Sequence, residues 1–449
     1  MPRLVVIGGG PAGVTAALEA AHRGAQVTLV EAAHLGGRAT WHSLVPSKVF
    51  LSAAEALGTA RPWLDAPLPR PPLALLRERI HALAVAQSRA QQEALIHAGV
   101  TLVQAVAAFE SPHILRLEGE DGRQMRLEFD IAILATGSEP IFLPQLKPDG
   151  KRLLAPRAMA HLETWPEHLI MIGGGVTGSE YVSFFNQMGV PTTWVTDLPT
   201  FLPRVDADVA AAFAAIMAAR GVALYPNAPV EAAESDGQGV RVVLRDGRVL
   251  EGSHVFIAIG RQADTARLNL AAVGLSASRR GLVVDAFGRT ALSHIYAIGD
   301  VAGPPYTVNR AQAQARVAVR HALGLPTLPL DAVVTAEAIY SDPQVAQVGL
   351  GEDAARQQGR MVRILRADFA QGLKPQLGAH AQGFLKLVVE AQSGHLLGAA
   401  ALGSHAAELI NALAVAVQMR ATLDDLARWA PAYPTLGDLV GIAVHGYGV

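Results

Sequence analysis

The sequence predicts an α/β fold with two parallel-sheet units, and three observations support this. The chain opens with "RLVVIGGGPAGVTAALEAAHRGAQVTLVEA": an apolar run, a glycine turn, an Ala-rich stretch and a second apolar run ending in an acid. The same succession returns about 165 residues later as "HLIMIGGGVTGSEYVSFFNQMGVPTTWVTD". Two further apolar runs, "AILATGSEP" and "IYAIGDVAG", end in short polar turns, as strands do where a parallel sheet delivers residues to a ligand. A length of 449 residues exceeds what one core supports, so two to four domains are expected.

In the first pattern Gly8, Gly10 and Gly13 stand at G-x-G-x-x-G spacing between a strand and a helix, with Glu31 at the end of the next strand. That is the full context of the dinucleotide fingerprint, which a lone glycine motif lacks. The first glycine permits the tight turn, the second lets backbone approach a pyrophosphate, and the third lets helix and strand touch. The helix N-terminus offers amide donors and a positive dipole end to phosphates, and Glu31 can accept from ribose hydroxyls. Gly173, Gly175 and Gly178 repeat the spacing. Two such sites suggest one bound flavin and one exchangeable nicotinamide.

The second site departs from the pattern at its acid. The strand "TTWV" runs into Thr196 and Asp197, where an NAD site offers a terminal acid and an NADP site a nearby Arg. Asp197 either holds an adenosine ribose or begins a turn before Pro199, so the choice between NADH and NADPH stays open. Asp300 in "AIGD" reads as a helix N-cap or as a ligand to a ribityl hydroxyl, and one side chain can do both.

Between the two patterns the Pro-rich "RPWLDAPLPRPPLALLRERI" interrupts the first unit. After it, "LALLRERIHALAVAQSRAQQEALI" carries apolar residues at helical spacing, read as core packing.

Composition removes several function classes. Apolar residues make up 51% and charged residues 17%, which fits a packed globular chain and not a disordered one. Net charge is -2 with no long basic run, so nucleic acid is not an expected partner. The chain has no cysteine, which excludes disulfides, thiolate catalysis and Cys-ligated metal centres. No His pairing of the H-x-x-x-H or H-E-x-x-H type occurs, so no metal site is expected. No signal peptide is read at the N-terminus, and no apolar stretch approaches the roughly 18 to 20 residues of a membrane helix. Cytoplasmic residence is the expectation, with no integral membrane segment.

With the two fingerprints, "ATG", "AIGD" and "VPSK" in this order, the chain resembles the flavoprotein disulfide reductases, the group of dihydrolipoamide dehydrogenase, glutathione reductase and mercuric reductase. The resemblance runs from the first strand to about residue 440 and includes "AIYSDPQVAQVG", "GFLKLVVEAQSGHLLGAAALG" and "YPTLGD", which look like that family's dimerisation domain. It implies two Rossmann-like dinucleotide-binding domains plus an α+β C-terminal dimerisation domain. The expected division is an FAD-binding domain over 1–147, an NAD(P)-binding domain over 148–262, a return segment over 263–333 that completes the FAD domain, and an interface domain over 334–449. The helix-like "AAELINALAVAVQM" would pack at the two-fold axis of a homodimer.

The same resemblance implies roles for matching residues. Gly8, Gly10, Gly13, Glu31, Thr136, Gly137 and Asp300 would bind FAD, and Gly173, Gly175 and Gly178 the nicotinamide dinucleotide. The expected cofactor-binding set also takes in Pro11, Ala12, Gly37, Arg38, Lys48, Ala107, Ala135, Asp197, Gly260, Arg261 and Val308. Lys48 in "PSK" and Glu180 in "GSE" match the family's ion pair beside the flavin, where Lys48 would stabilise the charge of the reduced ring.

Two departures from the family pattern bear on function. Where the family reads G-G-T-C, four residues, a second Cys, a branched apolar residue and then P-S-K, this chain reads "GGRATWHSLVPSK", with Ala39 and Leu44 at the cysteine positions. Where the family places H-P-T followed by Glu, this chain has Tyr433, Pro434, Thr435 and Asp438. Tyrosine, with an ordinary pKa near 10, donates a hydrogen bond at neutral pH but is no ready proton shuttle. Trp41 and His42 in the first stretch read as packing and as an ordinary imidazole.

Electrons passed from nicotinamide to FAD must therefore meet their acceptor at the flavin itself. Ala39 and Leu44 leave an apolar surface suited to a flat, weakly polar molecule such as a quinone, and Tyr433 from a second subunit could donate to its oxygen. Resemblance to cysteine-deficient members that act as NAD(P)H:quinone reductases points the same way. Two other readings stay open: a soluble pyridine nucleotide transhydrogenase, and a non-catalytic flavin-binding protein acting as a redox-sensing or interaction subunit. The retained Lys48 and Glu180 argue against the second. Diaphorase-like activity with dyes is expected of any exposed reduced flavin and does not identify the acceptor.

Overall fold

Residues 3–7, RLVVI, are apolar on both faces after Arg3 and form the central strand of a five-stranded parallel sheet. Its strand order is Ile295–Ala297, Ile131–Leu134, Arg3–Ile7, Gln26–Glu31, Thr101–Gln104. A strand covered on both faces has no polar side to alternate, so its sequence runs continuously apolar. A second parallel sheet repeats the plan around Leu169–Ile172, in the order Ala223–Tyr225, Thr192–Val195, Leu169–Ile172, His254–Ile257, Leu153–Leu154. In both, the chain crosses from the edge to the other side of the centre through a three-stranded antiparallel sheet. These are Val106–Ser111, Ile114–Glu118 and Gln124–Glu128 in the first, and Val230–Ser235, Val240–Leu244 and Val249–Gly252 in the second.

The computed structural model describes residues 1–65, 68–379 and 381–446; two positions of the Pro-rich stretch and the last three of the expected interface domain lie outside the described residues. The chain divides into two compact units. The first comprises Met1–Pro46, Arg77–Ile141 and Gly260–Ala332; the second comprises Ser47–Leu76, Phe142–Ile259 and Val333–Val449.

In the first unit the helix Pro11–His22 buries Ala12, Ala16, Ala17 and Ala20, and the helix Val308–Ala322 buries Ala311, Ala315 and Ala318. All seven alanines share one apolar cluster with strand residues Leu4, Val6 and Leu29, because small side chains let the two helices approach closely. The expected long helix is present as Leu73–His97, with Leu73, Leu76, Ile80 and Ala84 buried at helical spacing.

The second unit also holds an antiparallel sheet ordered Glu337–Ile339, Gln344–Gly349, Leu396–Gly403, Phe384–Glu390, Val362–Asp368. The helix Ala406–Gln418 covers it with Leu409, Ile410, Leu413 and Val417, while Val415 and the following Met419 stay exposed. Lys386 lies within this sheet almost fully buried, its side chain only 4% exposed. Its ammonium contacts Asp206 Oδ1 at 3.0 Å, Asp208 Oδ2 at 2.7 Å and Glu352 Oε2 at 2.9 Å. It thereby ties the sheet to Asp206, the N-cap of the helix Ala207–Ala219.

Tyr181 is buried in the same unit with its ring 4.7 Å from that of Phe256, and its hydroxyl has no hydrogen-bond partner. Burial pushes its pKa up. Tyr181→Phe removes an unsatisfied polar group and should stabilise the protein by about 1 kcal/mol. A denaturant midpoint that rises at unchanged m-value is the expected reading, and a lower midpoint would refute it.

Candidate functional site

The first glycine turn forms a backbone cradle. Gly8 N donates to Val30 O at 2.8 Å, and its φ of 105° lies in the left-handed region, where a side chain would also run into the Ala135 carbonyl. A side chain on Gly13 would collide with the Gly8 carbonyl, which fixes the close approach of helix to strand. Beside Gly10 there is open space, and the helix that Gly10 caps has Pro11 in its first turn, no acid there and no side-chain cap. Its N-terminal amides therefore present a positive dipole end that no side chain of the helix itself caps.

Glu31 ends the neighbouring strand with both oxygens fixed: Oε2 accepts from Gly9 N at 2.5 Å and Oε1 from Ala33 N at 2.8 Å. Beyond it opens a cavity of about 380 Å³ lined by Ala32, Ala105, Val106, Ala108, Arg116 and Arg267, among others. Ala107 belongs to the apolar cluster behind that wall. Gly37 stands against Gly10, where a side chain would come within 2.9 Å of the Gly10 Cα; it opens the short helix Gly37–Trp41 that carries Arg38.

The other strand ends of the unit converge as well. After Ile131–Leu134 come Ala135 and Thr136, whose Oγ1 donates to Asp264 O at 2.6 Å, and then Gly137, whose carbonyl accepts from Asp264 N at 3.0 Å. Asp300 Oδ2 accepts from Ser138 Oγ at 2.5 Å and lies 3.8 Å from Arg261 Nη2, while Arg261 Nε donates to Ser138 Oγ at 2.8 Å. Burial lowers the Arg261 pKa, and Asp300 works against that shift. Asp300 is not a helix N-cap: the single 3₁₀ turn Gly299–Ala302 is capped by Ile298, which leaves the carboxylate for Ser138 and Arg261. Gly260 precedes the strand Arg261–Ala263, and Val308 opens a helix whose cap, Thr307, has a buried Oγ1 with no partner.

An open glycine cradle, a fixed carboxylate beside a cavity and an unpartnered buried hydroxyl fit an FAD-type dinucleotide. Ala39 is half-buried in this unit, and Leu44 is 40% exposed. Trp41 is held locally, its Nε1 donating to Leu35 O at 3.0 Å and its ring 4.8 Å from that of His34; His42 is exposed.

The second unit repeats the cradle at Gly173, Gly175 and Gly178: Gly173 N donates to Val195 O at 2.8 Å, and the space beside Gly175 is open. The helix Val176–Gln187 that follows carries Glu180, and the helix Leu44–Ala60 carries Lys48. Lys48 Nζ donates to Glu180 Oε1 at 2.7 Å, with side-chain exposures of 29% and 7%, so the carboxylate is buried while the ammonium stays partly open. Tyr340 completes the arrangement: its backbone N donates to the same Oε1 at 3.1 Å, and its ring centroid lies 4.6 Å from Lys48 Nζ. Asp197 is exposed in a bend after the strand Thr192–Val195, whereas Thr196 is buried. Tyr433 is 58% exposed, and Asp438, whose Oδ2 is buried without a partner, makes no hydrogen bond to it.

Sequence reading did not pick out Ser138, Thr196 or Tyr340. Ser138 directly follows the "ATG" run and Thr196 directly follows a strand, so position was the available signal for both. Nothing in the sequence signals that Tyr340 lies against Lys48. Among the described residues no His, Asp and Glu group could hold a metal ion, and no helix is long and apolar enough to cross a membrane.

Known proteins resemble the chain over nearly its whole length. Residues 2–322 match the family described as pyridine nucleotide-disulphide oxidoreductase, and residues 335–443 match the dimerisation domain of that family. An NAD(P)H dehydrogenase (quinone) of Mycobacterium tuberculosis is 34% identical, with 97% of this chain and 91% of the relative covered. A dihydrolipoyl dehydrogenase of Rhizobium etli is 30% identical, with 99% and 98% covered. The crystal structure of LpdA from Mycobacterium tuberculosis superposes with a TM-score of 0.94 at 33% identity, covering 99% of each chain.

Proposed function

The chain belongs to the pyridine nucleotide-disulphide oxidoreductase family, and from that premise we propose that it is an NAD(P)H:quinone oxidoreductase that passes electrons from a bound FAD directly to a quinone-like acceptor. The absence of cysteine carries the reading: relay to a disulfide substrate needs a thiol pair, and Ala39 and Leu44 stand at those positions. The balanced reaction takes two electrons and a proton from NAD(P)H and a further proton from solvent, leaving NAD(P)⁺ and hydroquinone.

Bound FAD would supply the redox chemistry, accepting two electrons from the nicotinamide and releasing them singly or together. The cradle of Gly8, Gly10 and Gly13 would hold its pyrophosphate, Glu31 its adenosine ribose and Asp300 its ribityl chain. Lys48, kept in place by Glu180 and Tyr340, would offset the negative charge of the reduced state. Ala39 and Leu44 would present an apolar surface to the acceptor, and Tyr433 of a second copy would donate to a quinone oxygen. The exposed Val415 and Met419, on a chain with a family dimerisation domain, support a homodimer.

The test is an anaerobic stopped-flow experiment. The yellow protein is reduced with one equivalent of NADH or NADPH, then mixed with a naphthoquinone while flavin absorbance is followed. Rapid, saturable re-oxidation with no response to lipoamide or glutathione disulfide is expected. Slow re-oxidation by quinone with fast return by an oxidised nicotinamide analogue would move the assignment to transhydrogenation.

A further inference from the structure

We propose that Thr196 makes the second dinucleotide cradle accept a 2′-phosphorylated adenosine ribose about as well as an unphosphorylated one, so that NADPH and NADH are both used. The inference rests on reading that cradle as the nicotinamide dinucleotide site, and it names the residue that sets its preference.

Backbone hydrogen bonds align the two cradles residue by residue. Gly8 N donates to Val30 O and Gly173 N to Val195 O, each at 2.8 Å, so the residue that follows is Glu31 in one and Thr196 in the other. Gly36 N donates to Gly9 O at 2.8 Å, and Leu202 N to Gly174 O at 2.7 Å. The side chains obey the same alignment. Glu31 Oε1 accepts from Ala33 N at 2.8 Å, two residues on, and Thr196 Oγ1 accepts from Leu198 N at 3.2 Å, also two residues on. A side chain on Gly9 would come within 3.1 Å of Glu31 Oε2, and one on Gly174 within 2.7 Å of Thr196 Oγ1. Thr196 thus holds the station of the ribose-binding acid, and Asp197 lies one residue beyond it on an exposed bend.

The substitution changes the chemistry of that station. A carboxylate there accepts from a 2′-hydroxyl and repels a 2′-phosphate. The Thr196 hydroxyl is neutral and only 2% exposed, so it neither repels the phosphate nor offers two charged acceptors to the diol. Arg204, the first basic residue after the strand, already has a carboxylate partner in Glu337 at 3.3 Å. The site is therefore built for tolerance of the phosphate more than for selection of it.

Calorimetric titration of the flavin-loaded protein with 2′,5′-ADP and with 5′-AMP tests this without relying on turnover. Wild-type dissociation constants should agree within about tenfold, and Thr196→Glu, which restores the arrangement at Glu31, should weaken 2′,5′-ADP by at least about tenfold while sparing 5′-AMP. Thr196→Ser should behave as wild type. The proposal is overturned if neither fragment binds, if the wild type already disfavours 2′,5′-ADP by more than about a hundredfold, or if Thr196→Glu leaves the ratio unchanged. Flavin reduction by NADH and NADPH is read in parallel. Failure of both to reduce the flavin sinks the oxidoreductase reading while the binding ratios still decide the role of Thr196.

Discussion

Replacing Lys48 with methionine is expected to slow flavin reduction by NADH or NADPH about a hundredfold, the loss typical when one preorganised charge is removed from an active site. The expectation follows from how the ammonium is held. Glu180 Oε1 binds it at 2.7 Å and the Tyr340 ring lies against it at 4.6 Å, so its position is fixed before any reaction occurs. A charge already oriented stabilises developing negative charge without the reorganisation that water would need. The variant should also lower the flavin midpoint potential, since the reduced state loses its counter-charge. Lys48→Met leaves the Glu180 carboxylate, 7% exposed, without its cation, so lost stability has to be separated from lost rate. The double variant Lys48→Met, Glu180→Gln removes that unpaired charge and should recover stability but not rate. An unchanged rate and potential in a folded Lys48→Met protein would remove the pair from the mechanism.

Lys386→Met should cost about 3–5 kcal/mol of stability, the range for breaking a buried ion pair from one side. One ammonium there serves Asp206, Asp208 and Glu352, and its loss leaves Asp206, 4% exposed, as an uncompensated buried charge. The pH dependence follows from the two shifted groups. Burial alone would lower the Lys386 pKa, but hydrogen bonds to Asp208, Glu352 and Asp206 outweigh it and the net shift is upward. That contribution is complete below the ordinary lysine value near 10.4 and is lost only as pH rises through the higher folded value. The hydrogen bond from Lys386, more than the one from Arg356, holds the Glu352 pKa down. Its contribution is complete above about 4.3 and is lost as pH falls through the depressed folded value. The gap between wild type and variant should therefore be flat across neutral pH and narrow at both extremes. Denaturant unfolding at several pH values measures it, and a loss below about 1 kcal/mol at neutral pH would show that the cluster contributes no more than an exposed pair.

Much of the fold could be read directly from the chain. Both fingerprints signal the strand-to-helix turns where they occur, because the glycines, the continuous apolar strands and the helix-length stretches are local properties. The long helix at Leu73–His97 was legible in the same way, from its spacing and the prolines before it. The polar network at the strand ends was less so. Ser138, Arg261 and Asp300 come from three separate strand ends, and only the parallel sheet and its neighbouring short strands bring them together. The sequence offered the Asp300 carboxylate a place as a helix cap, but the short turn begins one residue before it and is capped by Ile298, so the side chain turns to Ser138 instead.

The sequence by itself determined the family and the absence of a thiol relay, because both depend only on which residues are present and in what order. It also left Asp197 with two readings, a ribose-binding acid or the start of a turn before Pro199. The tertiary structure shows what the sequence could not, because the pairing of Leu169–Ile172 with Thr192–Val195 sets where that strand ends: Thr196 is buried against the glycine turn and Asp197 is exposed in a bend. It likewise decided that Tyr340 lies against Lys48 and Glu180, residues far apart in sequence that only packing brings together. Which residues can react is a local property of the chain, but which of them meet depends on register and packing between distant segments.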